Sequence, residues 1–135
     1  MKKMRKAYLA ISYSKRALFN KELRALQNLF NKNKIELLVF VDKYNFKPDQ
    51  EKQMMKVAFQ EIDNSDFLIA ELTTKSIGVG IEIGYAFAIG KPIIYLRKKD
   101  SEYSSTASGC ASSMIEYKNE FDLKELMKRT IETNK

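Results

Sequence analysis

Four short runs in this chain are apolar at nearly every position: residues 7–13, 35–41, 67–72 and 93–96. A strand with one wet face alternates apolar and polar residues. Unbroken apolar runs of this length instead mark strands buried on both faces, as in a parallel sheet covered by helices. The stretches between them have the other period. Residues 15–31 place Phe19, Leu23, Leu26 and Phe30 on one helical stripe. Residues 49–64, 79–89 and 122–133 read as further helices, the second of these stopped by Gly90-Lys91-Pro92. Residues 114–117 make a weaker fifth strand. Residues 42–48, 73–80 and 97–113 are expected to be loops, the last rich in serine between 101 and 113.

Strand and helix in alternation predict an α/β fold, a three-layer sandwich with a five-stranded parallel sheet in the flavodoxin-like order 2-1-3-4-5. At 135 residues the chain suits one domain, 1–135. No apolar stretch approaches the roughly 20 residues that span a bilayer. The basic start Met1-Lys2-Lys3 is followed by too short an apolar run for a signal peptide. A cytoplasmic location with no membrane partner is expected.

Composition narrows the chemistry. The chain has no His and one Cys, Cys110. His-based triads, His-ligated metals, internal disulfides and thiolate zinc sites are thereby excluded, and neither a metal nor a cofactor is expected. Any catalysis rests on Asp, Glu, Ser, Tyr, Lys or Arg. Lys and Arg number 24 against 17 Asp and Glu, a net charge of +7 that favours anionic ligands. The basic residues are scattered and no recognition helix or RNA-binding aromatic motif is present, so nucleic acid is not the expected partner. Each basic cluster reads as solvated surface, with a phosphate contact by Lys15 and Arg16, or by residues 97–99, as the alternative.

In open α/β sheets ligands bind at the carboxyl ends of the strands. Here that edge collects residues 12–15, 42–48, 73–82 and the segment from Arg97. Within Ser76-Ile77-Gly78-Val79-Gly80-Ile81-Glu82, Gly78 and Gly80 are expected to turn the loop tightly into a helix and let backbone approach a ligand. Glu82 is expected in that helix's first turn, where a carboxylate also complements the helix dipole. Glu71, an acid on an otherwise apolar strand, must be paired or face the crevice.

The blocks Asp66-Phe67-Leu68-Ile69-Ala70-Glu71-Leu72-Thr73, Ser76 to Ala86, and Gly90-Lys91-Pro92-Ile93 resemble the nucleoside 2-deoxyribosyltransferase superfamily. Within it the likeness is to the 2'-deoxynucleoside 5'-monophosphate N-glycosidases, and it runs from Tyr8 to about Ile115. The resemblance implies that Glu82 attacks the anomeric carbon and displaces the base, leaving a glycosyl-enzyme that water or a second base resolves. It implies that Tyr8 orients Glu82, that Ser12 helps hold the nucleotide, and that Ser76 binds the 5'-phosphate. Ser112 would enter the site from a partner subunit, which implies a homodimer. Gly78, Gly80 and Glu71 also match the pattern. Glu71 would steer Tyr8, bind the ligand, or pair with Lys75 or Lys91.

The expected ligand is a nucleoside monophosphate or nucleoside. The implied activity is an N-glycosidase, with a deoxyribosyltransferase or a non-catalytic nucleotide-binding protein as alternatives. Two positions depart from the pattern. The acid that assists the leaving base is replaced by Ala58, flanked by Val57 and Phe59, with Glu61 one turn later. A basic residue two positions after Ser12 is replaced by Ser14, leaving Lys15 or Arg16 to take its place.

Overall fold

The computed structural model describes residues 4–133; the basic Met1-Lys2-Lys3 start lies outside them. The chain forms β1 (Lys6–Ile11), a 3-10 segment (Tyr13–Phe19), α1 (Asn20–Lys32), β2 (Glu36–Val39), α2 (Phe40–Lys43), α3 (Glu51–Asp63) and β3 (Phe67–Glu71). There follow α4 (Ile77–Ala88), β4 (Ile93–Lys98), α5 (Ser105–Cys110), β5 (Ser113–Tyr117) and α6 (Glu120–Thr133). The five strands pair in the order β2-β1-β3-β4-β5, all parallel. The fold is the expected three-layer α/β sandwich.

The apolar runs are continuous because the sheet has two buried faces. On one, Ala7, Leu9 and Ile11 of β1 pack with Phe30 of α1 and with Leu123 and Met127 of α6. On the other, Tyr8 and Ala10 pack with Ala58 and Ile62 of α3 and with Val79 and Ile83 of α4. Fully burying a Leu or Ile side chain contributes about 1.5–3 kcal/mol, so both faces drive the same register. β5 lies at the sheet edge and alternates buried and exposed residues, which is why its sequence signal is weak.

Three expectations are corrected. The 15–31 stripe divides into a 3-10 segment and a shorter α-helix, with Phe19 as the junction. The loop expected at 42–48 begins with the single helical turn of α2. The serine-rich segment is not a continuous loop. Ser104 caps α5, its Oγ accepting from the Ala107 N–H at 3.1 Å, and the Ser104 N–H donates to the Tyr95 hydroxyl at 3.0 Å. The Gly90 stop holds: its φ of +78° is the left-handed conformation that ends α4 before Pro92. Among the described residues, no helix is long and apolar enough to cross a membrane.

Candidate active site

A cavity of about 320 Å³ opens at the carboxyl edge of the sheet, where β1, β2 and β3 end. Its lining draws on the segments that follow those strands and on one face each of α3 and α4. Four of the expected residues border it, Ser12, Ser76, Gly78 and Glu82, and Tyr8 lies behind the wall with its hydroxyl on Glu82.

Tyr8 occupies the middle of β1 and is fully buried. Its hydroxyl donates a hydrogen bond to Glu82 Oε2. Glu82 Oε1 accepts no hydrogen bond among the described residues, so one carboxylate oxygen is fixed and the other is free. Burial pushes the Glu82 carboxyl up to about 7, against the lowering effect of the Tyr8 hydrogen bond. The Tyr8 phenol is held well above its ordinary range by burial first, then by the Glu82 charge and the bond to it. Tyr8 therefore stays a donor at any ordinary pH. Glu82 is half ionised near neutrality, a carboxylate poorly solvated and oriented by a single donor. Such a group is reactive as a nucleophile or base.

Glu82 stands in the second turn of α4, not the first, because the helix starts at Ile77 rather than Val79. Complementing the helix dipole does not explain it there, since that effect fades beyond the first turn. Gly78 and Gly80 are likewise inside the helix and have no left-handed φ. The expected tight turn is not their task. A Cβ on Gly78 would meet only Ser76 Oγ, at 4.0 Å, and glycine leaves that part of the pocket wall bare. Gly80 faces a second groove, of about 360 Å³, with Lys75, Ser104 and Thr106. Ser76 borders both cavities and caps α4, its Oγ accepting from the Val79 N–H at 3.3 Å.

Two expected residues lie elsewhere. Glu71 follows Phe67 and Ile69 on the opposite face of the sheet from Tyr8 and cannot steer it. It accepts from the Tyr117 hydroxyl at 2.7 Å and the Thr73 N–H at 2.6 Å, rather than from Lys75 or Lys91. Burial raises its pKa, and these donors and nearby Lys98 only partly offset that. Ser112 precedes β5 at the amino edge of the sheet, with Phe67 and Pro92 as neighbours. Its Oγ accepts from the Ile93 N–H at 3.1 Å. It is separated from the Glu82 pocket by about the length of a strand, roughly 15 Å.

The sequence reading missed the aromatic wall. Phe40, Tyr44 and Phe46 stack against one another, Phe40–Phe46 at 6.1 Å and 19° and Tyr44–Phe46 at 5.8 Å and 24°. Phe40 also packs on Tyr8 at 5.8 Å. With Met54 and Met55 of α3 they give the pocket a flat, apolar side suited to an aromatic ring. The signal was the spacing of Phe40, Tyr44 and Phe46 just after an apolar run. It became readable only once α2 turned Phe40 inward.

Ala58 borders the pocket, buried, one helical turn beyond Met54. Glu61 is not available as an acid in its place. It is bound by Lys6 and Lys43, each at 3.0 Å, and by the Tyr44 hydroxyl at 2.6 Å. Burial alone would raise its pKa, but these three donors outweigh it and hold the carboxyl at about 2. Arg16 is also committed, with Asp42 at 2.8 and 2.9 Å and Asn20 at 2.8 Å. The Lys15 ammonium has no ion pair among the described residues.

A poorly solvated, oriented carboxylate beside a flat apolar wall fits glycosyl chemistry, and the comparison with known proteins decides the family. The family model described as nucleoside 2-deoxyribosyltransferase matches residues 7–131. The chain belongs to the nucleoside 2-deoxyribosyltransferase family. This family member is 36% identical over 92 residues to putative 2'-deoxynucleoside 5'-phosphate N-hydrolase 1 of Methanosarcina mazei, which covers 62% of this chain and 56% of that protein. Over 40 residues it is 45% identical to 5-hydroxymethyl-dUMP N-hydrolase of Rattus norvegicus, 30% of this chain and 24% of that one. The match thus spans about half the length of the first relative and a quarter of the second.

Among solved structures, the Clostridium botulinum CMP N-glycosidase superposes with a TM-score of 0.70 at 23% identity, covering 91% of this chain and 98% of that one. A 2-deoxyribosyltransferase from Bacillus psychrosaccharolyticus gives 0.72 at 15% identity, covering 93% and 95%. At these identities the likeness establishes the fold.

Proposed function

We propose that this protein is a nucleotide N-glycosidase that hydrolyses the base–sugar bond of a nucleoside 5'-monophosphate. The observation that carries the reading is the Tyr8–Glu82 pair, set at the edge of an aromatic-walled cavity. In this reading the free oxygen of Glu82 attacks the anomeric carbon as the base departs. The sugar passes through an oxocarbenium-like state to a glycosyl ester. Water then cleaves the ester and the carboxylate is regenerated. Tyr8 is a positioning residue: its hydrogen bond fixes the attacking carboxylate.

The base lies against Phe40, Tyr44 and Phe46, and the 5'-phosphate lies toward Ser12 and Ser76. Lys15 is the cation we assign to that phosphate, since Arg16 is held by Asp42. Ser112 reaches a phosphate only from a second copy of the chain, so the active form in this reading is a homodimer. The cytoplasm is the proposed compartment.

The test is base release from ribo- and deoxyribonucleoside monophosphates, followed by chromatography, with wild type beside Glu82→Ala. Release by wild type and none by a folded Glu82→Ala is the expected result. Activity surviving the substitution would remove Glu82 from the mechanism. Ala58 favours one second reading, a protein that keeps the pocket and binds nucleotide without turnover. Its mark would be a nucleotide-dependent rise in melting temperature with no base released on long incubation. Transfer of the sugar to an added acceptor base would instead identify a deoxyribosyltransferase.

A further inference from the structure

Cleaving a base–sugar bond leaves an electron pair on the ring nitrogen. A neutral purine or pyrimidine must take up a proton as it leaves, or depart as an anion. A ring that is already cationic departs neutral and needs no proton. General-acid help of this kind is worth about 10²–10⁴ in rate.

The cavity contains little that can give that proton. Among the described residues, Glu82 is the only charged side chain in its lining. In the proposed reaction Glu82 attacks as the carboxylate, so it is not the acid. The Tyr8 proton is engaged with Glu82, and Tyr8 is fully buried. The Tyr44 hydroxyl donates to Glu61. What remains is aliphatic hydroxyls and the exposed Tyr13, and a phenol is about six pKa units weaker as an acid than a carboxyl. The α3 wall, where an acid would face the base, presents Met54, Met55 and Ala58. Meanwhile the stacked faces of Phe40 and Phe46 attract positive charge on a flat ring, as does the Glu82 carboxylate.

We infer that the pocket is built for a nucleotide whose base is already a cation, either a pyridinium ring or an N-alkylated purine. The inference rests on the N-glycosidase reading. Glu82 forms a C1'–O bond as the C1'–N bond breaks, and the electron pair of that bond neutralises the ring. Water then attacks C1', the C1'–O bond returns its pair to Glu82, and the water's surplus proton goes to solvent. Each turnover therefore yields neutral base, sugar phosphate and a proton, with no oxidant or reductant involved.

The experiment compares initial rates of base release by the wild-type protein on matched substrates. Guanosine 5'-monophosphate stands beside 7-methylguanosine 5'-monophosphate, and uridine 5'-monophosphate beside nicotinamide mononucleotide. We expect at least one cationic member to exceed its neutral match by about 100-fold or more, the worth of the missing acid. Whichever cation is faster identifies the source, alkylated purine or pyridinium. Neutral bases released at less than that disadvantage in both pairs would overturn the inference and leave the N-glycosidase reading standing. Release from none of the four, nor from their deoxy forms, would overturn both. Ala58→Asp and Met55→Glu each put a carboxyl on the α3 wall and are expected to shrink the ratio by raising the neutral-base rate. If neither variant folds, the wild-type ratio decides.

Discussion

Replacing Glu82 by Gln should make the protein more stable, and only at neutral to alkaline pH. The Glu82 carboxyl titrates near 7 in the fold and near 4.5 as an unperturbed group. Below pH 4.5 both states are protonated and the residue costs nothing. As pH rises from 4.5 to 7 the unfolded chain ionises freely while the folded chain keeps its proton, so stability falls. Above 7 the loss is complete. A difference of 2.5 units (7 − 4.5) sets a ceiling of about 3 kcal/mol. The carboxyl borders an open cavity, and water there screens it, so we expect about half, roughly 1.5 kcal/mol. For a chain of this size that is about 5 °C in melting temperature.

Gln keeps the shape and still accepts from Tyr8, so its constant effects cancel when two pH values are compared. The assay is thermal unfolding of wild type and Glu82→Gln at pH 4.5 and pH 8. The variant's advantage should appear at pH 8 and vanish at pH 4.5. An equal difference at both pH values would refute the claim that burial destabilises the ionised form of Glu82, and with it the account of its reactivity.

Three other outcomes follow from the same geometry. Tyr8→Phe removes the one donor to Glu82 among the described residues, so the carboxyl should titrate about one to two units higher, and the pH midpoint of base release should rise with it; carboxyl NMR titration checks the first and a pH–rate profile the second. Ser76→Ala removes the cap of α4 and should cost about 1 kcal/mol in urea unfolding. If Ser76 also holds phosphate, release from monophosphates should fall more than release from nucleosides. Glu61→Gln removes a charge stabilised by Lys6, Lys43 and Tyr44. The Glu61 pKa of about 2 lies below 4.5, so this stability is present above 4.5 and lost as pH falls through 2. Solvent screening leaves about 1 kcal/mol, seen as a gap in urea midpoints at pH 6 that closes toward pH 2.

Much of this molecule was legible in one dimension. The unbroken apolar runs could only be strands covered on both faces, and that requirement with the intervening helical stripes leads to the parallel sheet and its strand order. Gly90 before Lys91-Pro92 could only end a helix. The motif around Glu82 pointed to the family. These are local properties, fixed by the period of a few neighbouring residues and by what a backbone without Cβ can do.

What sequence alone did not decide depends on which face a residue presents and on what waits there. Glu71 and Tyr8 both sit on neighbouring buried strands, yet the pleat sends them to opposite faces, so Glu71 meets Tyr117 and Tyr8 meets Glu82. A shift of two residues in the start of α4 moved Glu82 from the first turn to the second, and moved Gly78 and Gly80 from turn to helix. Glu61 looked available as an acid until Lys6, from one end of the chain, and the adjacent Lys43 and Tyr44 closed on it. The aromatic wall needed α2 to turn Phe40 toward residues four and six places on. Strand and helix are set by short-range pattern, whereas the state of a carboxyl and the shape of a cavity are set by contacts between segments far apart in the chain, and only the folded structure brings those together.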